Sequence, residues 1–133
     1  MTAVAYIDAS AFVKLFSMEP ESAAMRAALH EEHGPLLTAS EILSVEAFRA
    51  ALRLGGEAPA QVPALLRRVA LHPLSSEIRE SAQRIGTKSL RALDAIHLAT
   101  AVRLGDEVNA VFTYDKRLAD ASADAGLRVL APA

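Results

Sequence analysis

The feature that most restricts this chain is a regular alternation of short apolar runs with longer amphipathic stretches. Val4-Ala5-Tyr6-Ile7 has the length of a buried strand, and a helical stretch opening at Ser10 follows it, carrying Phe12, Val13, Leu15 and Phe16. Pro20-Glu21-Ser22 begins an Ala-rich helix, with Pro in the first turn, where its missing N–H is harmless, and Gly34-Pro35 breaks it. Leu36 to Ala39 reads as a second strand, with Ser40 as the N-cap of a helix that runs to the stop signal Gly55-Gly56. Pro59 and Pro63 punctuate the next helical stretch, and Leu71 to Leu74 is a third strand. Ser76 to Lys88 and Arg91 to Leu104 read as helices, Asn109 to Tyr114 as a strand, Lys116 to about Ala125 as a helix and Leu127 to Leu130 as a last strand. Strands separated by helices point to crossover connections and a parallel sheet covered on both faces, so the predicted class is α/β. The chain shows neither an internal repeat nor a linker, which predicts a single domain over residues 1–133.

Composition narrows the chemistry. A chain of 133 residues, 52% of them hydrophobic, buries roughly two thirds of its unfolded surface as one domain. The absence of Cys excludes a disulfide scaffold, a thiolate metal site and a Cys nucleophile. Any metal must therefore be held by oxygen or imidazole. No apolar run approaches the roughly 18 residues that cross a bilayer, and the start lacks a basic targeting segment, so a cytoplasmic protein without membrane contact is expected. Against 16 acids there are 14 Lys and Arg, a formal charge of −2, which argues against a basic footprint over the whole surface.

Four acids stand in unusual settings. Asp8 ends an apolar strand, and Asp115 ends another after Val111-Phe112-Thr113-Tyr114. Carboxyl ends of parallel strands border the crevice where ligands bind, although an acid after a strand also serves as a helix N-cap. Asp94 has Leu90, Leu98 and Ala101 as its helical neighbours, and Glu46 lies among Ile42, Val45, Ala47 and Phe48. An ionised carboxylate on such a stripe costs several kcal/mol unless compensated. The plain alternative is a partly buried ion pair with Arg49, Arg53 or Arg91. Four such acids on different elements instead suggest convergence on a cation. Oxygen-only ligands suit Mg²⁺ or Mn²⁺, and the matching chemistry is phosphoryl hydrolysis by a water that the ion makes more acidic.

These same residues carry a family resemblance. Tyr6-Ile-Asp8-Ala-Ser10-Ala-Phe-Val-Lys14-Leu resembles the opening motif of PIN-domain proteins, and Ser40 to Glu46 is similar to their second acidic motif. Leu90 to Ala99, containing Asp94 and His97, resembles the third, and Phe112-Thr113-Tyr-Asp115-Lys-Arg-Leu118 the fourth. The resemblance runs from Tyr6 to Pro132, and the short single-domain chain is similar to VapC-type toxins of toxin–antitoxin pairs. It implies a five-stranded parallel sheet of order 3-2-1-4-5 and a Mg²⁺-dependent endoribonuclease. It also implies that Asp8, Glu46, Asp94 and Asp115 are both catalytic and metal-binding, with Asp8 and Asp94 the most direct ligands. Ser10 and Thr113 match hydroxyl positions that orient carboxylates or water. The partners implied are an RNA substrate, a second copy of the chain and a VapB-type antitoxin. The apolar early helices around Phe12, Phe16 and Leu29 are candidates for the dimer face.

Other signals carry less. Lys14, Arg49, Lys116 and Arg117 are candidate phosphate contacts, with Arg53 one turn beyond Arg49. His30 and His33 stand at a spacing that can hold Zn²⁺ but more simply form a solvated face, and His97 reads as a structural histidine. In a regular strand Tyr114 points away from the face that Asp115 occupies. Two rival readings follow from the residues: a phosphoryl-transfer domain with Asp8 as nucleophile, which lacks the second Asp at position 10, and a non-catalytic interaction module with its acids in internal ion pairs. Setting the four acids aside leaves 14 basic residues against 12 acidic ones. The net charge thus averages a compact acidic pocket with a mildly basic remainder, which predicts RNA affinity that depends on metal and falls with salt.

Overall fold

The computed structural model describes residues 3–30 and 34–133, so Glu31, Glu32 and His33 lie outside it and the His30/His33 pair is not assessed. The elements are β1 (Val4–Ile7), α1 (Ala9–Val13), α2 (Ser22–His30), β2 (Leu36–Ser40), α3 (Ile42–Leu54), α4 (Ala58–Leu66), β3 (Val69–His72), α5 (Ser76–Ala82), α6 (Ala92–Leu104), β4 (Ala110–Phe112), α7 (Lys116–Asp124) and β5 (Val129–Leu130). The five strands form one parallel sheet of order β3-β2-β1-β4-β5, as expected. No helix among the described residues is long and apolar enough to cross a membrane.

β1 lies at the centre because it is apolar throughout: Ala5, Tyr6 and Ile7 are all buried, as a strand covered on both faces requires. Its register pairs Ala5 with Leu37 on one side and Ala110 on the other, and Ile7 with Phe112. The order of connection reverses between β1 and β4, and at such a switch point the carboxyl ends of the strands open a crevice. Phe12, Met25, Leu43, Val62, Val111 and Leu118 fill the core around the sheet, and Phe16 and Leu29 are buried with them, so these side chains do not form the dimer face expected around Phe12, Phe16 and Leu29. Ala47 and Ala51 are fully buried on α3, and their small side chains let this helix lie close between α1 and α4.

Several boundaries differ from the expected ones, each for a local reason. β3 ends at His72 because Pro73 has no N–H for the ladder. β4 ends at Phe112, since the amides of Tyr114 and Asp115 are taken by the Ser10 and Thr113 hydroxyls. Ser40 belongs to β2 and gives its own N–H to the Tyr6 hydroxyl (3.0 Å), although its Oγ still accepts from the Ile42 amide (3.3 Å). The expected helix from Ser76 to Lys88 stops at Ala82, and Gly86 adopts φ +74°, a left-handed conformation that glycine tolerates best.

One buried polar atom stands out among the described residues: Ser122 Oγ on α7 has no hydrogen-bond partner. Leaving a hydroxyl unsatisfied costs about 1–3 kcal/mol, and Ala is the better helix former. Ser122→Ala is therefore expected to stabilise the fold by about 1 kcal/mol, measured as a higher midpoint in denaturant. An unchanged or lower midpoint would show that the hydroxyl is satisfied in solution.

Candidate active site

The acid at the end of β1 is held from several sides. Asp8 is buried, caps α1 by accepting the Ala11 amide (3.0 Å), and accepts the Ser10 hydroxyl at 2.7 and 2.9 Å. Thr113, leaving β4, donates its hydroxyl to the second Asp8 oxygen. Burial pushes the Asp8 carboxyl above the usual range, while these donors pull the other way. Asp115 follows on the neighbouring strand end and caps α7 through the Leu118 amide (2.9 Å), and its own amide donates to Thr113 Oγ1 (3.1 Å). Both aspartates are helix caps and crevice residues at once, because a βα turn at the switch point places the cap beside the crevice. Ser10 and Thr113 both donate to Asp8, and each ties the end of β1 to the segment after β4.

Asp94 enters from the first turn of α6 and is half-buried. Its carboxyl is pushed up first by burial and next by Asp115, with Asp8 and Glu46 adding to the effect and His97 opposing it. The charges of the three other acids, which come from the end of β1, from α3 and from the turn before α7, thus reach Asp94 on α6. Among the described residues, none of the four is paired with a Lys or Arg. The ion pairs that would have explained them structurally are not formed.

Glu46, on α3, lines a cleft of about 570 Å³ with Ser10, Val13, Lys14, Arg49 and Arg53, and with Leu93 and Tyr114. Its partner is an imidazole: His97 Nε2 lies 2.7 Å from Glu46 Oε1. The other ring nitrogen meets the Tyr6 hydroxyl at 2.7 Å. Sequence reasoning gave Tyr6 no role, yet a tyrosine in an otherwise apolar buried strand needs a partner for its hydroxyl, and that signal pointed inward to the site.

Tyr114 follows the end of β4 and lines this cleft beside Glu46 and Ser10, whereas Asp115 does not line it. The Tyr114 hydroxyl donates to the Pro132 carbonyl (2.6 Å). Lys14, a candidate phosphate contact, is buried and carries Glu19 and Glu21 at 2.8 Å each, with its ammonium 5.0 Å from the Tyr114 ring centroid. Burial opposes its charge, but the two carboxylates outweigh burial and hold the ammonium above the ordinary lysine range. Its charge is thus already answered within the chain. Arg49 and Arg53 line the cleft from α3, while Lys116 and Arg117 are exposed at the start of α7, with Lys116 3.5 Å from Asp120.

The donor set is oxygen and imidazole only, and the mutual repulsion felt by Asp94 is what a divalent cation relieves. Among the described residues no group of three or more Asp, Glu or His side chains is already placed to hold a metal ion.

Comparison with known proteins agrees with this arrangement. A family model described as PIN domain matches residues 5–124. The chain is 38% identical over 130 residues to a protein named Ribonuclease VapC46 of Mycobacterium tuberculosis, covering 98% of each, and 36% identical to Ribonuclease VapC35 of the same species, covering 96% of each. Among solved structures, M. tuberculosis VapC20, described as a Sarcin-Ricin loop cleaving toxin, superposes with a TM-score of 0.70 at 15% identity, over 90% of this chain and 95% of that one. A toxin–antitoxin complex from Klebsiella pneumoniae gives 0.69 at 23% identity, over 97% and 98%. At those identities the two structures speak for the fold. The chain belongs to the PIN-domain family. Within it, this is a VapC-type protein.

Proposed function

We propose that the chain is the toxin of a type II toxin–antitoxin pair, an endoribonuclease that depends on Mg²⁺ or Mn²⁺. One observation carries the reading: Asp8 and Asp115 leave neighbouring strand ends and are joined through Thr113, and neither they nor Glu46 and Asp94 have a Lys or Arg partner among the described residues. Relatives named ribonucleases at 36–38% identity support the activity, and a toxin–antitoxin complex among the structural neighbours supports an antitoxin partner.

Asp8, Glu46, Asp94 and Asp115 are the residues that would hold the ion. When bound, it supplies Lewis-acid stabilisation of phosphate charge and a more acidic water. Asp8 is kept in one orientation by three protein donors, so its oxygens are fixed before any ligand arrives. That arrangement favours a ligand role over a freely rotating nucleophile. Arg49 and Arg53 line the cleft and meet the RNA phosphates, and the exposed Lys116 and Arg117, next to Asp115, offer further contacts. The proposed reaction is hydrolysis: water forms the new bond to phosphorus, the bond to the 3′-oxygen breaks, and the products are a 5′-phosphate and a free 3′-hydroxyl. A homodimer and silencing by a VapB-type antitoxin complete the proposal.

The test is to map RNA ends after induction of the wild-type and Asp8→Asn proteins. Asn keeps an oxygen for the α1 cap, so the variant isolates the lost charge. Discrete new 5′-phosphate ends with the wild type and none with the variant are expected. Equal cleavage by both, or no cleavage by either in Mg²⁺ or Mn²⁺, would overturn the reading.

A further inference from the structure

Behind Glu46 runs a buried chain of hydrogen bonds that the proposed reaction does not by itself use. The Ser40 amide donates to the Tyr6 hydroxyl (3.0 Å), the hydroxyl meets His97 Nδ1 (2.7 Å), and His97 Nε2 meets Glu46 Oε1 (2.7 Å). Tyr6, Ser40 and His97 are all essentially inaccessible to solvent. The direction of the chain follows from its ends. An ionised Glu46 only accepts, so Nε2 carries a hydrogen. A neutral imidazole with its hydrogen on Nε2 can only accept at Nδ1, so the Tyr6 hydroxyl, which takes the Ser40 amide on a lone pair, gives its own hydrogen to Nδ1. Burial raises the Tyr6 phenol, which keeps it protonated as this requires. In this arrangement the β2 backbone fixes Tyr6, Tyr6 holds the His97 imidazole, and His97 fixes one oxygen of Glu46.

We propose that His97, oriented by Tyr6, is a positioning residue that presents the free oxygen of Glu46 to the cleft. Glu46 lines that cleft from an exposed helix face beside Val45 and Arg49, and a glutamate there has three rotatable bonds to lose when it takes hold of a ligand. The imidazole removes that freedom in advance. The edge-on packing of His97 against the Tyr6 ring, with centroids 5.7 Å apart and planes at 78°, prevents the imidazole from turning. Removal of such a supporting partner typically costs about 10–100-fold in metal affinity or activity. This inference rests on the reading of Glu46 as a metal-holding acid.

The test compares His97→Gln, His97→Leu and Tyr6→Phe with the wild type, each checked for folding by thermal melting. Gln places an N–H near the position of Nε2, whereas Leu fills the space without a donor. If His97 positions Glu46, His97→Leu binds Mn²⁺ roughly 10–100-fold more weakly by calorimetry and loses kcat with KM for RNA little changed, while His97→Gln keeps most of both. If His97 only fills the core, Leu equals or exceeds Gln, and the proposal fails. Nitrogen chemical shifts of the imidazole in the metal-free wild type give an independent readout: hydrogen on Nε2 supports the chain, and hydrogen on Nδ1 alone overturns it even if a variant does not fold. In Tyr6→Phe the Glu46 carboxylate still favours hydrogen on Nε2, and the looser hold on the imidazole is expected to weaken Mn²⁺ binding part of the way toward His97→Leu; affinity equal to the wild type counts against the role of Tyr6. Failure of the wild type itself to bind Mn²⁺ or cleave RNA would remove the underlying reading as well, and this result is distinct from normal metal binding by His97→Leu.

Discussion

Asp94→Asn should abolish RNA cleavage and, in the absence of divalent metal, raise the melting temperature. The first effect follows from the proposed site, in which Asp94 would help hold the ion: the several kcal/mol of charge stabilisation an ion supplies corresponds to roughly 10²–10³-fold or more in rate. The second follows from electrostatics. Asp94 is half-buried and repelled by Asp115, Asp8 and Glu46, and burial together with that repulsion raises its carboxyl above the ordinary range. Its place in the first turn of α6 returns about 0.3–1 kcal/mol through the helix dipole, which the raised carboxyl shows to be outweighed. A neutral amide removes the repulsion and keeps the shape, so the metal-free variant is expected to melt on the order of 2–5 °C higher. Full activity in a folded Asp94→Asn protein would remove the residue from the site. A lower melting temperature at pH 7 would show that the acids do not repel one another as the fold implies.

The second large effect concerns metal and pH together. Asp8 and Asp94 both have carboxyls raised in the folded state. Below the unfolded value, near pH 3.9, both states carry the proton and these groups contribute no difference. As pH rises, the unfolded chain ionises first and the folded chain later, so folding is progressively penalised until the raised values are passed, and the penalty then stays constant. Glu19 and Glu21 act in the opposite sense: Lys14 lowers both carboxyls, so their contribution is present above the unfolded value and is lost as pH falls through the lowered one. Comparing variant with wild type at each pH cancels these other groups. The advantage of metal-free Asp94→Asn over wild type should be absent at about pH 3 and grow from about pH 4 upward. Mn²⁺ at about 100 times its dissociation constant should reverse the order, stabilising the wild type by about 2.7 kcal/mol and the variant by much less. A wild-type melting curve unmoved by millimolar Mn²⁺ and Mg²⁺ at neutral pH would sink the metal-site reading.

What could be read from the sequence divides along a physical line. β1, β2 and β4 declare themselves as short apolar runs, and Asp94 declares itself because it interrupts an apolar helix stripe; both signals are local. The placement of Asp8 and Asp115 on neighbouring strand ends needed the strand order, which the family resemblance supplied and the sheet shows. The links that depend on distant residues were invisible. His97 reaches Glu46 across 51 positions and Tyr6 across 91, and nothing in the immediate neighbourhood of any of them marks the partnership. Lys14 looked free for phosphate because Glu19 and Glu21, five and seven positions on, are brought back by the turn after α1.

The order in which the acids occur along the chain has a consequence for synthesis. β1 is made first but takes the central place in the sheet, and its second neighbour, β4, begins only at Ala110. Thr113, which grips Asp8, and Asp115 come later still. A chain still emerging from the ribosome therefore has Asp8 without its hydroxyl partner and a pocket missing one wall. A growing fragment that lacks Thr113 and Asp115 therefore has no finished acidic centre.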